Sequence, residues 1–203
     1  MSPSFSPSLL PCILLAALLL VSTDSAGAVA APATRRHRQL SVSFYAKTCP
    51  DLNQLVSSVT SQQFRVSPAT GPRTIRLFFH DCFVDGCDGS ILISSKPGGA
   101  VAERDAVESK YLAEEAFVMI NKAKALVESK CPGIVSCADI LALSARDFVH
   151  LAGGPYYDVK VGRWDGKLSM ATRIGSNLPR ANSTMAELIS LFASKGLTLE
   201  DLC

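Results

Sequence analysis

The stretch that most restricts what this chain can fold into runs from Arg73 to Ser90. There an apolar helical pattern, Arg-Thr-Ile-Arg-Leu-Phe-Phe-His, passes directly into an oxygen-rich loop, Asp-Cys-Phe-Val-Asp-Gly-Cys-Asp-Gly-Ser. Residues four apart share a helix face, so Arg76 and His80 project side by side with Phe79 next to them. A fixed cation beside an imidazole is suited to moving protons. Asp81, Asp88 and Ser90 follow at once, and Gly86 and Gly89 let backbone carbonyls turn inward. Carboxylate, hydroxyl and carbonyl oxygens on a short curved loop suit a hard cation such as Ca²⁺. Cys82 and Cys87 bracket the same loop.

Helical patterns flank this centre and predict a mostly α fold. Leu52, Leu55, Val56, Val59 and Phe64 fall near helical spacing behind Cys49-Pro50 and mark a first helix. Pro68 to Pro72 interrupts the chain, and Pro72 fits the first turn of the helix that carries Arg76 and His80. Phe117, Ile120, Ala123 and Val127 mark a third helix, ending before Cys131-Pro-Gly133. Ser136 and Asp139 open a fourth like a capping box; its core positions are Ile140, Leu143, Phe148 and Leu151, and Gly153-Gly-Pro155 stops it. Spacing alone leaves Asp139 open as a surface cap or a buried acid. Thr184 with Glu187 caps a helix through Leu188, Leu191 and Phe192, and Thr198 with Asp201 starts another at about Leu199.

The leader reads differently. Leu9 to Val21 is an apolar run, interrupted by Pro11 and too short to span a bilayer, followed by Ala28-Val-Ala30 as a cleavage site. We read residues 1–30 as a secretory signal peptide, 31–38 as a basic tail with His37, and 39–203 as one domain. Beyond the tail acids and bases balance, and the net charge of +2 for the chain gives no reason to expect a nucleic-acid partner. The mature protein is expected to be secreted, extracellular and free of the membrane. Of seven cysteines, one (Cys12) lies in the leader. The six that remain read as a disulfide framework in an oxidising compartment, with the pairing left open by the residues themselves. Asn182-Ser-Thr184 fits the N-glycosylation sequon.

The run Arg76 to Ser90 resembles the distal haem motif of the secreted plant (class III) haem peroxidases. Supporting matches are Phe44-Tyr-Ala-Lys-Thr-Cys-Pro50, Ala102-Glu-Arg-Asp-Ala106, Val135-Ser-Cys-Ala-Asp139, Ala152-Gly-Gly-Pro155, Gly162-Arg-Trp-Asp165 and Asn177-Leu-Pro179. A lone histidine on an apolar helix is ordinarily a core residue. Here Arg76, the loop and six outlying motifs weigh against that. The likeness covers about Gln39 to Leu202 and corresponds to roughly the first half of the family's domain, so the resemblance implies the distal half of the haem-peroxidase helical fold, disulfide-bonded.

What the resemblance implies can be placed residue by residue. His80 would be the acid–base, Arg76 the stabiliser of charge on the departing oxygen, and Phe79 a wall of the haem pocket. Asp81, Val84, Gly86, Asp88 and Ser90 would hold Ca²⁺, with Glu103 in the shell behind them, and Pro179 would lie at the aromatic-donor edge. Cys49 would pair with Cys131 and Cys82 with Cys87, whereas Cys137 normally pairs with a cysteine far downstream. Asp139 would be buried against Arg163. The cofactors would be haem b and Ca²⁺, and the partners H₂O₂ and small phenolic or similar aromatic reductants, acting on a monomer in the response to oxidative stress and the breakdown of hydrogen peroxide.

Two departures stand out. Where the family has an asparagine bonded to the distal imidazole, counting from Glu103 gives Ser109. The expected chain also stops before the family's proximal iron-ligand histidine, since His37 lies in the tail and His150 points outward by its spacing. Three readings of different class follow. One is the peroxidase itself; a second is a truncated, non-catalytic Ca²⁺-binding fragment of that family. The third is a thiolate metal site built from His80, Cys82, Cys87 and Cys131, which lacks the paired Cys-x-x-Cys spacing of zinc sites.

Overall fold

The structure, a computed structural model, describes residues 39–202. The expected leader, the basic tail with His37, and Cys203 lie outside the described residues. The expectation of a mostly α fold is met: six α-helices and four short 3-10 turns make up the regular structure among the described residues, with a single antiparallel bridge between Ser41 and Val161. No described helix is long and apolar enough to cross a membrane.

Four helices form the core. They are α1 (Leu52–Val66), α2 (Thr70–Phe83), α3 (Glu114–Lys130) and α4 (Cys137–Leu151). The apolar stripe read from the sequence is the buried stripe: Leu52 and Val56 on α1, Leu77 on α2, Met119, Ile120, Ala123 and Val127 on α3. These face α4, which packs against all three. Every residue of α4 from Ala138 to Phe148 is buried, so the helix is enclosed on all sides, its polar residues included. Small side chains let neighbours approach it. On α2, a Cβ at Gly71 would lie 3.5 Å from the Phe148 ring, within ordinary packing distance.

Burial of α4 forces its polar groups to find partners. Asp139 Oδ2 accepts from the Tyr45 hydroxyl (2.8 Å) and from the backbone N–H groups of Gly162 (2.7 Å) and Arg163 (3.0 Å), while Oδ1 pairs with the Arg163 guanidinium at 2.9 Å. Only half of the expected capping box forms, with Ser136 Oγ accepting from the Asp139 N–H. The carboxylate turns inward instead, because four donors from two parts of the chain meet it there. At the other end, Arg146 pairs with Asp147 at 2.7 Å and donates to the Tyr156 hydroxyl (2.8 Å) and Asn53 Oδ1 (3.0 Å), beside a second cavity of about 140 Å³.

Two disulfides staple this unit. Cys49–Cys131 joins the entry to α1 with the end of α3, and Cys82–Cys87 closes the loop after α2. Both are the pairings the resemblance implied. They also overturn the thiolate-metal reading, since Cys82, Cys87 and Cys131 have their sulfurs tied in disulfides and offer no thiolate. Cys137 is a free thiol, half-buried at the start of α4, and burial next to Asp165 pushes its pKa up.

The remaining elements form a looser arm. Val84, Ala106 and Ile174 make a small second core that joins the loop after α2 to the turns at Glu103–Asp105, Val107–Ser109 and Ala171–Arg173. Beyond it come α5 (Met185–Ser194) and α6 (Leu199–Leu202). The expected capping box on α5 is complete: the Thr184 N–H donates to Glu187 Oε2 (2.7 Å) and the Glu187 N–H to Thr184 Oγ1 (3.3 Å). Neither α5 nor α6 buries a residue fully. Leu188, Leu191 and Phe192 are only half-buried, with the Phe192 ring resting edge-on against Phe83 at 5.1 Å.

Candidate functional site

The last turns of α2 carry the site. Arg76 and His80 line one wall of an open cavity of about 300 Å³, with Phe79 between them. Pro179, Arg180 and Ala181 also line it, the last two exposed at its rim, and Glu108, Ile174, Gly175 and Leu178 complete the lining. Residues about a hundred positions apart meet here because the small core under Ile174 holds the 171–181 segment against the end of α2.

The chemistry of the wall is uneven. His80 is only 5% exposed, and burial, with Arg76 nearby, pulls its pKa down to about 4. It is therefore neutral near pH 7 and able to accept a proton. Nδ1 is buried without a hydrogen-bond partner, so Nε2 is the nitrogen left to the cavity. Ser109 Oγ, in the turn next to Glu108, is likewise buried without a partner. The hydroxyl at the position of the family's asparagine makes no bond to the imidazole. Arg76 is exposed, and no hydrogen bond or ion pair engages it among the described residues. Phe79 stacks on Phe83, with ring centroids 4.1 Å apart, and stands 6.1 Å from the His80 ring.

The loop after α2 carries the residues expected to hold a cation. Asp81 is fully buried, with Oδ2 accepting from the Gly89 N–H (3.0 Å) and Oδ1 from the Ile91 N–H (3.4 Å). The Asp88 carboxylate accepts from the Ser90 N–H at 3.1 Å, and the Ser90 hydroxyl donates to Glu103 Oε2 at 3.1 Å. Val84 is buried and Gly86 half-buried in the same loop. Glu103, which in isolation reads as a surface acid, is buried, and its N–H donates to Ser169 Oγ at 3.0 Å.

This loop carries an unbalanced charge. Burial pushes Asp81 up to about 7, against the pull of the Gly89 and Ile91 amides, and burial raises Glu103 as well. Among the described residues no ion pair reaches Asp81, Asp88 or Glu103. Nor do three His, Cys, Asp or Glu side chains gather into a metal cluster by themselves. The expected set does not depend on one, since it draws on two carboxylates, a hydroxyl and the carbonyls of Val84 and Gly86. Buried acids without a counter-charge fit a hard cation.

Several site residues carry no local signal. Asp165 accepts from the Cys137 and Ala138 N–H groups at 3.0 and 2.9 Å and so holds the start of α4 against the loop. Gly89, at φ 72°, takes a left-handed conformation in the same place, where a Cβ would press within 3.2 Å of Ala138 N. The Gly166 N–H donates to the Asp88 carbonyl at 2.6 Å, and a Cβ there would fall 2.3 Å from the Asp88 carboxylate. Glu108 and Arg180 join the cavity only through the tertiary fold. Asn182 is exposed just past the rim, and His150 is exposed on α4 with its ring against Tyr156 at 5.5 Å.

Residues 56–203 match the family model described as Peroxidase. The chain is 60% identical over 191 residues to Peroxidase 19 of Arabidopsis thaliana, an alignment covering 94% of this chain and 55% of that protein. Peroxidase 55 of the same plant is 48% identical over 164 residues (81% of this chain, 49% of that protein), and Peroxidase 41 is 44% identical over 163 (80% and 50%). The chain thus spans about half the length of the curated relatives it matches.

Proposed function

The chain belongs to the peroxidase family, and from that footing we propose that the whole protein is a secreted haem peroxidase that reduces H₂O₂ while oxidising phenolic or similar small aromatic donors. Residues 39–203 are then part of its haem-peroxidase domain. One observation carries the reading: a neutral His80 and an unpartnered Arg76 line one cavity together with Pro179.

Haem b, when bound, would supply an iron that gives peroxide the electrons its reduction needs and recovers them from the donor. The chain's own residues would handle protons and charge. His80 Nε2 would accept a proton from one peroxide oxygen and return it to the other, which would depart as water. Arg76 stabilises the negative charge growing on that departing oxygen. Phe79 walls the cavity against water, and Pro179 offers an apolar edge to an aromatic ring. Asp81, Val84, Gly86, Asp88 and Ser90 would hold Ca²⁺ with Glu103 behind them, which fixes the end of α2 and therefore His80.

The test is reconstitution of the whole protein with haem and Ca²⁺, followed by absorbance in the Soret region and H₂O₂-dependent oxidation of a phenol. His80→Ala is expected to lower the oxidation rate by about 10²–10⁴-fold with the Soret band kept. Full activity in His80→Ala would overturn the assignment. The uncompensated acids of the loop favour a second reading, a non-catalytic Ca²⁺-binding unit of the same family. It predicts a melting temperature raised by Ca²⁺ with neither Soret band nor oxidation.

A further inference from the structure

We propose that Asn182 carries an N-linked glycan that stands over the rim of the Arg76–His80 cavity and limits it to small donors. The proposal rests on the secretory reading above. Asn182-Ser-Thr184 has the acceptor pattern, and Asn182 is the residue immediately after the Pro179–Ala181 rim. A sugar on its amide nitrogen therefore begins one residue from the cavity lining.

The local structure holds the backbone around the acceptor. The Ser183 N–H donates to the Arg180 carbonyl at 3.0 Å and the Arg180 N–H to Ser183 Oγ at 3.2 Å, closing a tight turn with Asn182 inside it. Thr184 is held from the other side by its capping box with Glu187. Both flanks are pinned. Asn182 itself is exposed, and its side chain makes no hydrogen bond among the described residues. The one polar side chain at the apex is thus the one with nothing else to do. A bulky, hydrated chain at such an apex excludes large molecules from the adjacent rim while small ones pass beneath it.

Thr184 has a second role as the α5 cap, so the test must separate sequon from cap. Asn182→Gln removes the acceptor. Thr184→Asp destroys the sequon yet keeps a good N-cap residue. The whole protein and both variants would be expressed through a eukaryotic secretory pathway and the protein recovered from the medium. Peptide mass mapping is expected to find a glycan on Asn182 in the parent and none in either variant. Labelling of Arg180 by a polymer-linked phenylglyoxal, with Arg104 as the distant reference, is expected to run several-fold faster in both variants than in the glycosylated parent. Oxidation of a polymer-bound phenol relative to a free one is expected to rise in the same two proteins. A secreted protein with bare Asn182, or a glycosylated one whose Arg180 labels at the variants' rate, would overturn the inference alone. Retention of the protein inside the cell would overturn the secretory reading and this inference with it.

Discussion

Helices α4 and α5 open in similar ways and end up in opposite surroundings. On α4 only half a capping box forms, yet every residue from Ala138 to Phe148 is buried. On α5 the box is complete and no residue is buried. A cap decides where a helix begins by satisfying its first N–H groups; packing of an apolar face decides how much the helix contributes to stability. The core and the arm differ in the second respect and hardly in the first.

The largest effect expected in the core comes from its long cross-link. Cys49–Cys131 closes a separation of 82 residues and Cys82–Cys87 one of 5, so loss of the first is expected to cost about 4 to 5 kcal/mol and loss of the second about 2. Urea unfolding of Cys49→Ala/Cys131→Ala against Cys82→Ala/Cys87→Ala measures the gap; equal losses would contradict the chain-entropy account. Phe148→Ala removes a fully buried ring and is expected to cost about 3 to 5 kcal/mol by the same method.

The two regions should also separate along the pH axis. Burial, aided by the bond to Asp139, pushes the Tyr45 hydroxyl up to about 12 from 10.0. A raised folded-state pKa means the contribution is complete below pH 10 and is lost as pH rises through 12. Two units correspond to about 2 to 3 kcal/mol. Glu187 on the arm is shifted the other way, lowered by its bond from the Thr184 N–H. Its contribution is present above the ordinary glutamate pKa and fades as pH falls below it. Denaturation profiles should therefore show a basic limb that disappears in Tyr45→Phe, while circular dichroism shows only a small acid limb from α5.

Smaller still are the changes confined to the arm. Thr184→Ala is expected to cost about 1 kcal/mol of α5 helicity, with the melting of the four-helix core unchanged. Ile189→Ala, at a position 40% exposed, is expected to move stability by no more than about 0.5 kcal/mol. A loss there comparable with that of Phe148→Ala would show that the arm is as firmly packed as the core.

What was legible in the sequence follows the same divide between local and distant causes. Helix periods, the Thr184 box and the shared face of Arg76 and His80 depend on residues three or four apart, and the structure has all of them. Asp139 was undecided because the donors that draw it inward, Tyr45 and Arg163, lie 94 and 24 residues away. Glu103 looked like a surface acid until Ser90 and Ser169 closed over it. Glu108, Arg180 and Gly166 were invisible as site residues, since nothing in their neighbourhoods signals the cavity or the Asp88 carboxylate they meet. Leu188, Leu191 and Phe192 showed the period of a core helix, but a period records which side is apolar and says nothing about how deeply that side is covered.

Three aromatic rings stand in file between the arm and the site: Phe192 on α5 touches Phe83, Phe83 stacks on Phe79, and Phe79 sits beside His80. Rings are stiff and nearly incompressible, so they transmit a push where flexible side chains would absorb it. Any load that tips α5 is passed along that file toward the imidazole, and a thinly covered helix acts as the handle of a lever whose short end is His80.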